Sequence, residues 1–274
     1  MTKISLFCAT HNPLKWEYPA REFIEYHAPF VDEIVVCDAE SIDGWLDYLK
    51  TIPKVRVVNF NSSVIFEKFG QAGLQKAIAK EHCSHPYLIH LDIDTFLIGI
   101  EKISQLIGGN QDVDDFPIPV IHFYGSFYKL FPKMGGTDPY QHTIMKRDAP
   151  IGIGRSWPES DGSEFIYLPG PDDYKQRNKS VIYHGQYIRE SPAWVMNVNQ
   201  DFMCLYHYGW CCRSFNIMQE KIGRQLKSQE KEWGHEVPYE FQKEDSPLLV
   251  DFKGEHPKII QDLIARIGGG WRFL

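Results

Sequence analysis

Between Ile4 and Leu91 the chain repeats one pattern: a short apolar, β-branched run, then a stretch with apolar residues at helical spacing. The runs are Ile4 to Ala9, Glu33 to Cys37, Val55 to Phe60 and Tyr87 to Leu91. Between them lie the helix-patterned stretches Tyr18 to His27, Trp45 to Thr51 and Phe69 to His82. Apolar strands without polar alternation are buried on both faces, and helices that return the chain between them make neighbouring strands parallel. The prediction is an α/β fold, a mostly parallel central sheet flanked by helices.

In such a sheet ligands bind beyond the carboxyl ends of the strands. Polar clusters follow the first, second and fourth runs: Thr10-His11-Asn12, Asp38 to Asp43, and Asp92-Ile93-Asp94. Parallel topology carries all of them to one edge, where they form one site.

Beyond Ile100 the pattern loosens. A helix is expected over Glu101 to Ile107, a strand over Pro117 to Phe123, and a strand over Phe202 to Tyr208. Helices follow over Ser214 to Glu232 and Pro257 to Ile267. Lys133 to Asp173, rich in Gly, Pro and Asp, shows little periodicity and reads as functional loop. With no repeat and no linker, residues 1–274 are expected to form a single domain, with a regular half over 1–100 and an elaborated half with C-terminal helices over 101–274.

Charge narrows the partners. The net charge of −7 comes without any long Lys or Arg run, so the stripe that neutralises a nucleic-acid backbone is missing and no nucleic-acid partner is expected. A mildly acidic protein still binds a diphosphate when a metal ion supplies the positive charge. The apolar stretch at the N-terminus stops at Thr10, too short for a signal peptide or membrane span, and no membrane helix is found elsewhere. The 6 cysteines do not form a disulfide framework, and Cys8 and Cys37 fall inside buried runs. Reduced thiols in a cytoplasmic setting are the expectation, and the adjacent Cys211 and Cys212 lack partner spacings for a metal or redox site.

His90-Leu-Asp-Ile-Asp-Thr-Phe96 carries the chemistry. Carboxylates at alternate positions of extended chain point to the same side, so Asp92 and Asp94 can approach one cation at the strand end. Hard oxygen ligands suit Mg²⁺ or Mn²⁺, which also take diphosphate oxygens. An isolated Asp-x-Asp is common in solvated loops; here it closes a buried strand late in the alternating region.

The segments Ile4-Ser-Leu-Phe-Cys-Ala-Thr-His-Asn12, Glu33-Ile-Val-Val-Cys-Asp-Ala-Glu-Ser-Ile-Asp-Gly44 and Tyr87-Leu-Ile-His-Leu-Asp-Ile-Asp94 resemble the glycosyltransferase family 2-like group of the GT-A fold, in order and approximate spacing. Beyond this first part the likeness is thinner, resting on Leu205-Tyr-His-Tyr-Gly209 and Arg213. The resemblance implies an inverting transfer of a sugar from a nucleoside-diphosphate donor to a sugar-containing or other hydroxyl acceptor, with 1–100 as the nucleotide-sugar-binding half and 101–274 as the acceptor half. It puts Asp92 and Asp94 on the metal and diphosphate, and Thr10 and Asp38 on base and ribose with Asn12 beside them. Ala39 stands where the family often has a second Asp, which bears on the identity of the base. His207 is implied as a further metal ligand, against the alternative of a core histidine bonded to backbone; His184 is a weaker rival, and His11 shapes its loop. Asp43 reads more simply as a helix cap, and Asp38 has a turn-forming alternative.

An inverting transferase needs a carboxylate to deprotonate the acceptor hydroxyl. Asp172 and Asp173 lie where the resemblance places that base, with Asp138, Asp161 and Glu164 as alternatives. Lys68, Arg155 and Arg213 are candidates for stabilising the departing diphosphate, or are surface and structural charges. Trp157, Tyr167, Tyr174, Trp194 and Trp210 are candidates for a sugar-stacking platform or for core. A nucleotidyltransferase acting on a sugar phosphate is the competing enzyme, disfavoured because Thr10-His-Asn-Pro-Leu-Lys15 contains no glycine. A catalytically inactive sugar-binding protein of the same fold is the non-enzymatic alternative.

Overall fold

A computed structural model describes residues 2–60, 71–132, 140–149, 182–183, 186–187, 198–211, 213–220, 223 and 242–272. The expected alternation is present. Strands β1 (Ile4–Thr10), β2 (Glu33–Asp38), β3 (Val55–Asn59) and β4 (Tyr87–His90) are separated by helices α1 (Ala20–His27), α2 (Trp45–Leu49) and α3 (Gln71–Glu81). They lie in the order β3-β2-β1-β4, every neighbouring pair parallel. Successive residues of one strand enter opposite cores. Leu6 and Cys8 of β1 join one apolar cluster with Ile34 and Val36 of β2, whereas Phe7 joins a second with Val35 and Cys37. Two-sided burial is why β1 and β2 carry no polar alternation, whereas β3 at the end of the sheet is only partly buried.

The chain moves outward from β1 through β2 to β3 and returns to β4 on the other flank of β1. That reversal is a topological switch point, where a crevice opens beyond the strand ends. The sheet then continues in mixed sense. After β5 (Thr95–Ile98) and α4 (Ile103–Gly109) come β6 (Asp115–Tyr124), β7 (Lys129–Leu130) and β8 (Tyr140–Lys146), and β8 pairs antiparallel with both β4 and β6. β8 falls within the segment expected to be loop. Its Gln141, Thr143 and Lys146 hide the strand signature, although Thr143, Ile144 and Met145 are buried between two neighbours.

A separate pair is formed by β9 (Ile182–Tyr183) and β10 (Gln186–Tyr187). β11 (Cys204–Trp210) lies between β5, antiparallel, and β6, parallel, and β12 (Val250–Asp251) edges β7. α5 (Lys258–Ile267) closes the chain against α1. Of the helix expected over Ser214 to Glu232, residues 214–220 and 223 are described, and all of these but Ser214 are helical. Among the described residues no helix is long and apolar enough to cross a membrane. Cys8, Cys37, Cys83 and Cys204 are buried free thiols, Cys211 is buried, and Cys212 lies outside the described residues. Burial pushes the Cys37 and Cys83 thiols up to about 12 and Cys204 to about 11, which leaves them unreactive as nucleophiles.

Candidate functional site

The loops after β1 and β2 are knotted together. Thr10 and Asp38 are register partners, and Thr10 Oγ1–H donates to Asp38 Oδ2 at 2.7 Å. Ser41 donates to the same carboxylate twice, from its amide to Oδ1 at 2.7 Å and from its hydroxyl to Oδ2 at 2.6 Å. Trp45 Nε1–H donates to Thr10 Oγ1 at 3.1 Å. Asp38 is fully buried and accepts from three donors, so one lone-pair position of the carboxylate is uncommitted. The turn-forming alternative for Asp38 is thus realised.

Asn12 ties the same loops together from the other side. Its amide donates to Ser41 Oγ at 2.6 Å and its Oδ1 accepts the Ile42 amide at 2.7 Å. The left-handed φ of 48° that this needs is one asparagine tolerates. His11 Nδ1–H donates to the Ala39 carbonyl at 2.6 Å, the loop-shaping role expected of it. Asp43 accepts the Leu14 and Lys15 amides at 2.7 and 2.9 Å and the Trp45 amide at 3.2 Å. It therefore caps α2, as expected, and also anchors the first loop. Gln75 on α3 donates to the carbonyls of Thr10 and Cys37, at 2.8 and 2.6 Å, which ties the helix to the carboxyl ends of β1 and β2.

The next residue of α3 reaches the acidic motif: Lys76 Nζ lies 2.6 Å from Asp92 Oδ1. Burial acts to raise the Asp92 carboxyl, but 46% of the side chain is exposed, and Lys76, with His90 and His207 behind it, holds it well below the usual carboxylate range.

Asp94, two residues on, has a different environment. Its side chain is 6% exposed, and its Oδ2 accepts from Arg213 Nη2 at 3.3 Å. Its Oδ1 faces His207 Nε2 at 3.6 Å. The pairing of β11 with β5 explains this meeting across a long stretch of chain. His207 is opposite Thr95, the residue after Asp94, and the Tyr208 amide donates to the Asp94 carbonyl at 2.8 Å. Gly209 completes the cradle, since a Cβ there would lie 2.8 Å from His207 Nε2 and closer still to Asp94 Oδ2. Arg213 is itself fully buried, stacked 3.5 Å above the Tyr18 ring, and its Nε and Nη1 have no hydrogen-bond partner among the described residues. It is a structural charge that orients Asp94.

On the far side of His207 stands His122 of β6, its Nδ1 3.0 Å from His207 Nδ1. Burial, with the nearby His207, pushes the His122 imidazole down to about 3, so it is neutral near pH 7. Neither His122 nor Lys76 stands out in the sequence; the only signal for His122 is its place in a strand that pairs with the one carrying His207.

The Asp94–His207 separation is longer than a hydrogen bond. It matches the roughly 3.0–3.6 Å between two ligands that share one cation at about 2.1 Å. Among the described residues no group of three or more His, Cys, Asp or Glu side chains converges on one point. Asp94 and His207 thus stand as a pair, and a cation between them would complete its shell with substrate phosphates and water.

The structure brings together Thr10, Asn12 and Asp38 as one knot, and Asp94, His207 and Arg213 as a second cluster, while Asp92, two residues before Asp94, pairs with Lys76. Asp172, Asp173, Asp138, Asp161, Glu164, Lys68, Arg155 and His184 lie outside the described residues, as do Trp157, Tyr167, Tyr174 and Trp194. Trp210 stacks on Tyr124 at 5.9 Å between ring centres.

No family model matches the chain, and no curated protein matches it. Among solved structures it is similar to S. aureus TarS in complex with UDP, with 17% identity and a TM-score of 0.41 over 53% of this chain and 47% of that one. It is also similar to glucosyl-3-phosphoglycerate synthase from Mycobacterium tuberculosis in complex with Mn²⁺ and UDP-glucose, with 19% identity and a TM-score of 0.32 over 45% and 44%. A mycobacterial protein matches with 14% identity and a TM-score of 0.37 over 54% of each chain. The matched part spans about half the length of each of these structures.

Proposed function

We propose that this chain is a metal-dependent glycosyltransferase of the GT-A kind, moving a sugar from a nucleoside-diphosphate donor to a hydroxyl acceptor with inversion at the anomeric carbon. The observation that carries the reading is the meeting of Asp94 and His207 at 3.6 Å, beside Asp92, at the switch point of the parallel strands. A core histidine bonded to backbone would not need a carboxylate and a glycine gap at its Nε2.

In this reading Asp94 and His207 would hold Mn²⁺ or Mg²⁺, and Asp92, which pairs with Lys76, would turn from it to the metal and diphosphate. When bound, the metal supplies positive charge to the diphosphate as the sugar departs. Lys76 lies where an ammonium pairs either with Asp92 or with a phosphate oxygen. Arg213 keeps Asp94 aimed. The Thr10–Asn12–Asp38 knot fixes the surface against which base and ribose rest, and the one uncommitted lone pair of Asp38 is the acceptor it offers them. Asp172 or Asp173 serves as base toward the acceptor hydroxyl. The chain works as one domain, residues 1–100 taking the donor and 101–274 the acceptor, in the cytoplasm.

Calorimetry of UDP, GDP and dTDP with and without Mn²⁺ tests this. Binding that appears only with metal, and is lost in Asp92→Asn and Asp94→Asn, is the expected result; metal-independent binding or none would sink it. Turnover of a nucleotide-sugar panel then separates an enzyme from a binding protein, and pyrophosphate release from a nucleoside triphosphate and a sugar phosphate would reassign it as a nucleotidyltransferase.

A further inference from the structure

We infer that His122 is a positioning residue that fixes the ring tautomer of His207, turning the lone pair of His207 Nε2 toward Asp94. This rests on the metal-dependent reading above and adds to it a residue that touches neither metal nor substrate.

The two Nδ1 atoms are 3.0 Å apart, so one carries a proton and the other accepts it. Two arrangements satisfy that contact. If His122 donates, the neutral His207 ring keeps its proton on Nε2, pointing at the Asp94 carboxylate. A charge-assisted N–H···O contact of that kind closes to about 2.7–2.9 Å. The observed separation is 3.6 Å, and the backbone tie from the Tyr208 amide to the Asp94 carbonyl already brings the two residues close enough to shorten it. If His207 donates instead, Nε2 carries a lone pair and the separation is that of two donors prepared to share a cation. The second arrangement accounts for both distances.

The backbone makes the arrangement durable. His122 and His207 are direct partners across the parallel β6–β11 pair, and His207 is also opposite Thr95 in β5, so the ring is held from both sides of its strand. The rings meet edge to face at 77°, which aims the edge of one at the nitrogen of the other. A ligating histidine whose other nitrogen donates to a fixed acceptor has its tautomer and orientation set before the metal arrives, and loss of such an acceptor typically weakens metal binding 10- to 100-fold.

The test uses the whole chain and two variants. His122→Asn keeps an acceptor near the position of Nδ1, and His122→Phe removes it while filling the space. Long-range ¹H–¹⁵N correlation on imidazole-labelled protein, metal-free at pH 8, reads the His207 tautomer directly, and Mn²⁺ with UDP or GDP is titrated by electron paramagnetic resonance. Expected are a proton on His207 Nδ1 in the wild type and in His122→Asn, and mixed tautomers in His122→Phe. Mn²⁺ binding should fall about 10- to 100-fold in His122→Phe and recover at least in part in His122→Asn. A wild-type His207 protonated on Nε2, or Mn²⁺ affinity unchanged in His122→Phe, overturns the assignment while leaving the transferase reading standing. A wild type that takes up no Mn²⁺ with any nucleotide, yet shows the expected tautomer, overturns the metal reading and the purpose assigned to His122 together. If His122→Phe does not fold, the wild-type tautomer and the Asn variant still decide the question.

Discussion

Lys76 Nζ sits 2.6 Å from Asp92 Oδ1, so the first of the two motif aspartates is neutralised by the protein's own helix α3. A divalent cation and the ammonium then compete for one carboxylate. Removing the competitor in Lys76→Met should strengthen binding of Mn²⁺ alone. Asp92 is 46% exposed, and a pair of that exposure is worth at most about 1 kcal/mol, so the gain should be no more than about fivefold. Nucleoside-diphosphate binding should weaken in the same variant, because the ammonium that would move to a phosphate is gone. Titrations of Mn²⁺ with and without UDP read both, and a uniform weakening would show that Lys76 supports Asp92 rather than competing for it.

Gly209 is the second test. A methyl group at this position would come within 2.8 Å of His207 Nε2 and 3.2 Å of Asp94 Cγ, and neither neighbour can retreat. Asp94 is held by Arg213, and His207 by strands on both sides. Gly209→Ala should cost about 1–3 kcal/mol of stability by overpacking, and metal-dependent nucleotide binding should drop by at least about tenfold through loss of the ligand geometry. Urea unfolding and calorimetry on the same preparations separate the two. Intact metal binding in a folded Gly209→Ala would place the cation elsewhere.

The parallel half of the sheet was legible because Leu6, Val36 and Ile89 lie on strands buried on both faces, which leaves an uninterrupted apolar run with little else it can be. The acidic motif was legible for a related reason, since Asp92 and Asp94 break such a run at its carboxyl end. His207 could be proposed only through the resemblance, because its partner Asp94 is joined to it by β5 and β11 rather than by any local spacing. Lys76 and His122 were not legible. One looks like an ordinary polar face of a helix, and the other lies on a strand whose pairing is set by tertiary contacts. The strand Tyr140–Lys146 escaped because Gln141, Thr143 and Lys146 interrupt its apolar pattern, while Thr143 Oγ1–H and Lys146 Nζ find local partners in the Gln141 carbonyl and Asp114. Asp38 shows a different limit: a carboxylate that caps its own loop has the same sequence signature as one presented to a ligand.

Arg213 should behave as a buried half of an ion pair. It is fully buried, and Asp94 is 6% exposed, so truncation strands a carboxylate with little water to solvate it. Arg213→Met is expected to destabilise the fold by about 3–5 kcal/mol. Arg213→Lys should rescue little, since a point ammonium reproduces neither the reach to Asp94 nor the 3.5 Å stacking on Tyr18. Denaturant unfolding of the two variants, with Asp94→Asn and the double variant Asp94→Asn/Arg213→Met completing a cycle, isolates the coupling. Independent, additive losses would show that the pair does not hold Asp94 in place.

His27 gives a prediction that is independent of the site. It is fully buried in α1, where Nδ1–H donates to the Phe23 carbonyl at 2.8 Å and Nε2 accepts the Leu97 amide at 3.2 Å. Both nitrogens are committed to the neutral ring, and burial pushes the imidazole down to about 3 from its ordinary 6.5. The unfolded chain therefore takes up a proton below pH 6.5 that the native state refuses until pH falls to about 3. Stability from this residue is complete above pH 6.5 and declines as the pH is lowered through that window, by about 2 kcal/mol between pH 7.5 and pH 5. Burial lowers His122 and His256 as well, so the informative quantity is the difference between wild type and His27→Gln rather than either curve alone. The variant should be less stable at pH 7.5 and should lose less on acidification. Parallel urea-unfolding curves for the two proteins across pH 5 to 7.5 would mean that His27 is protonated equally in the native and unfolded states, and that its two hydrogen bonds do not hold it neutral.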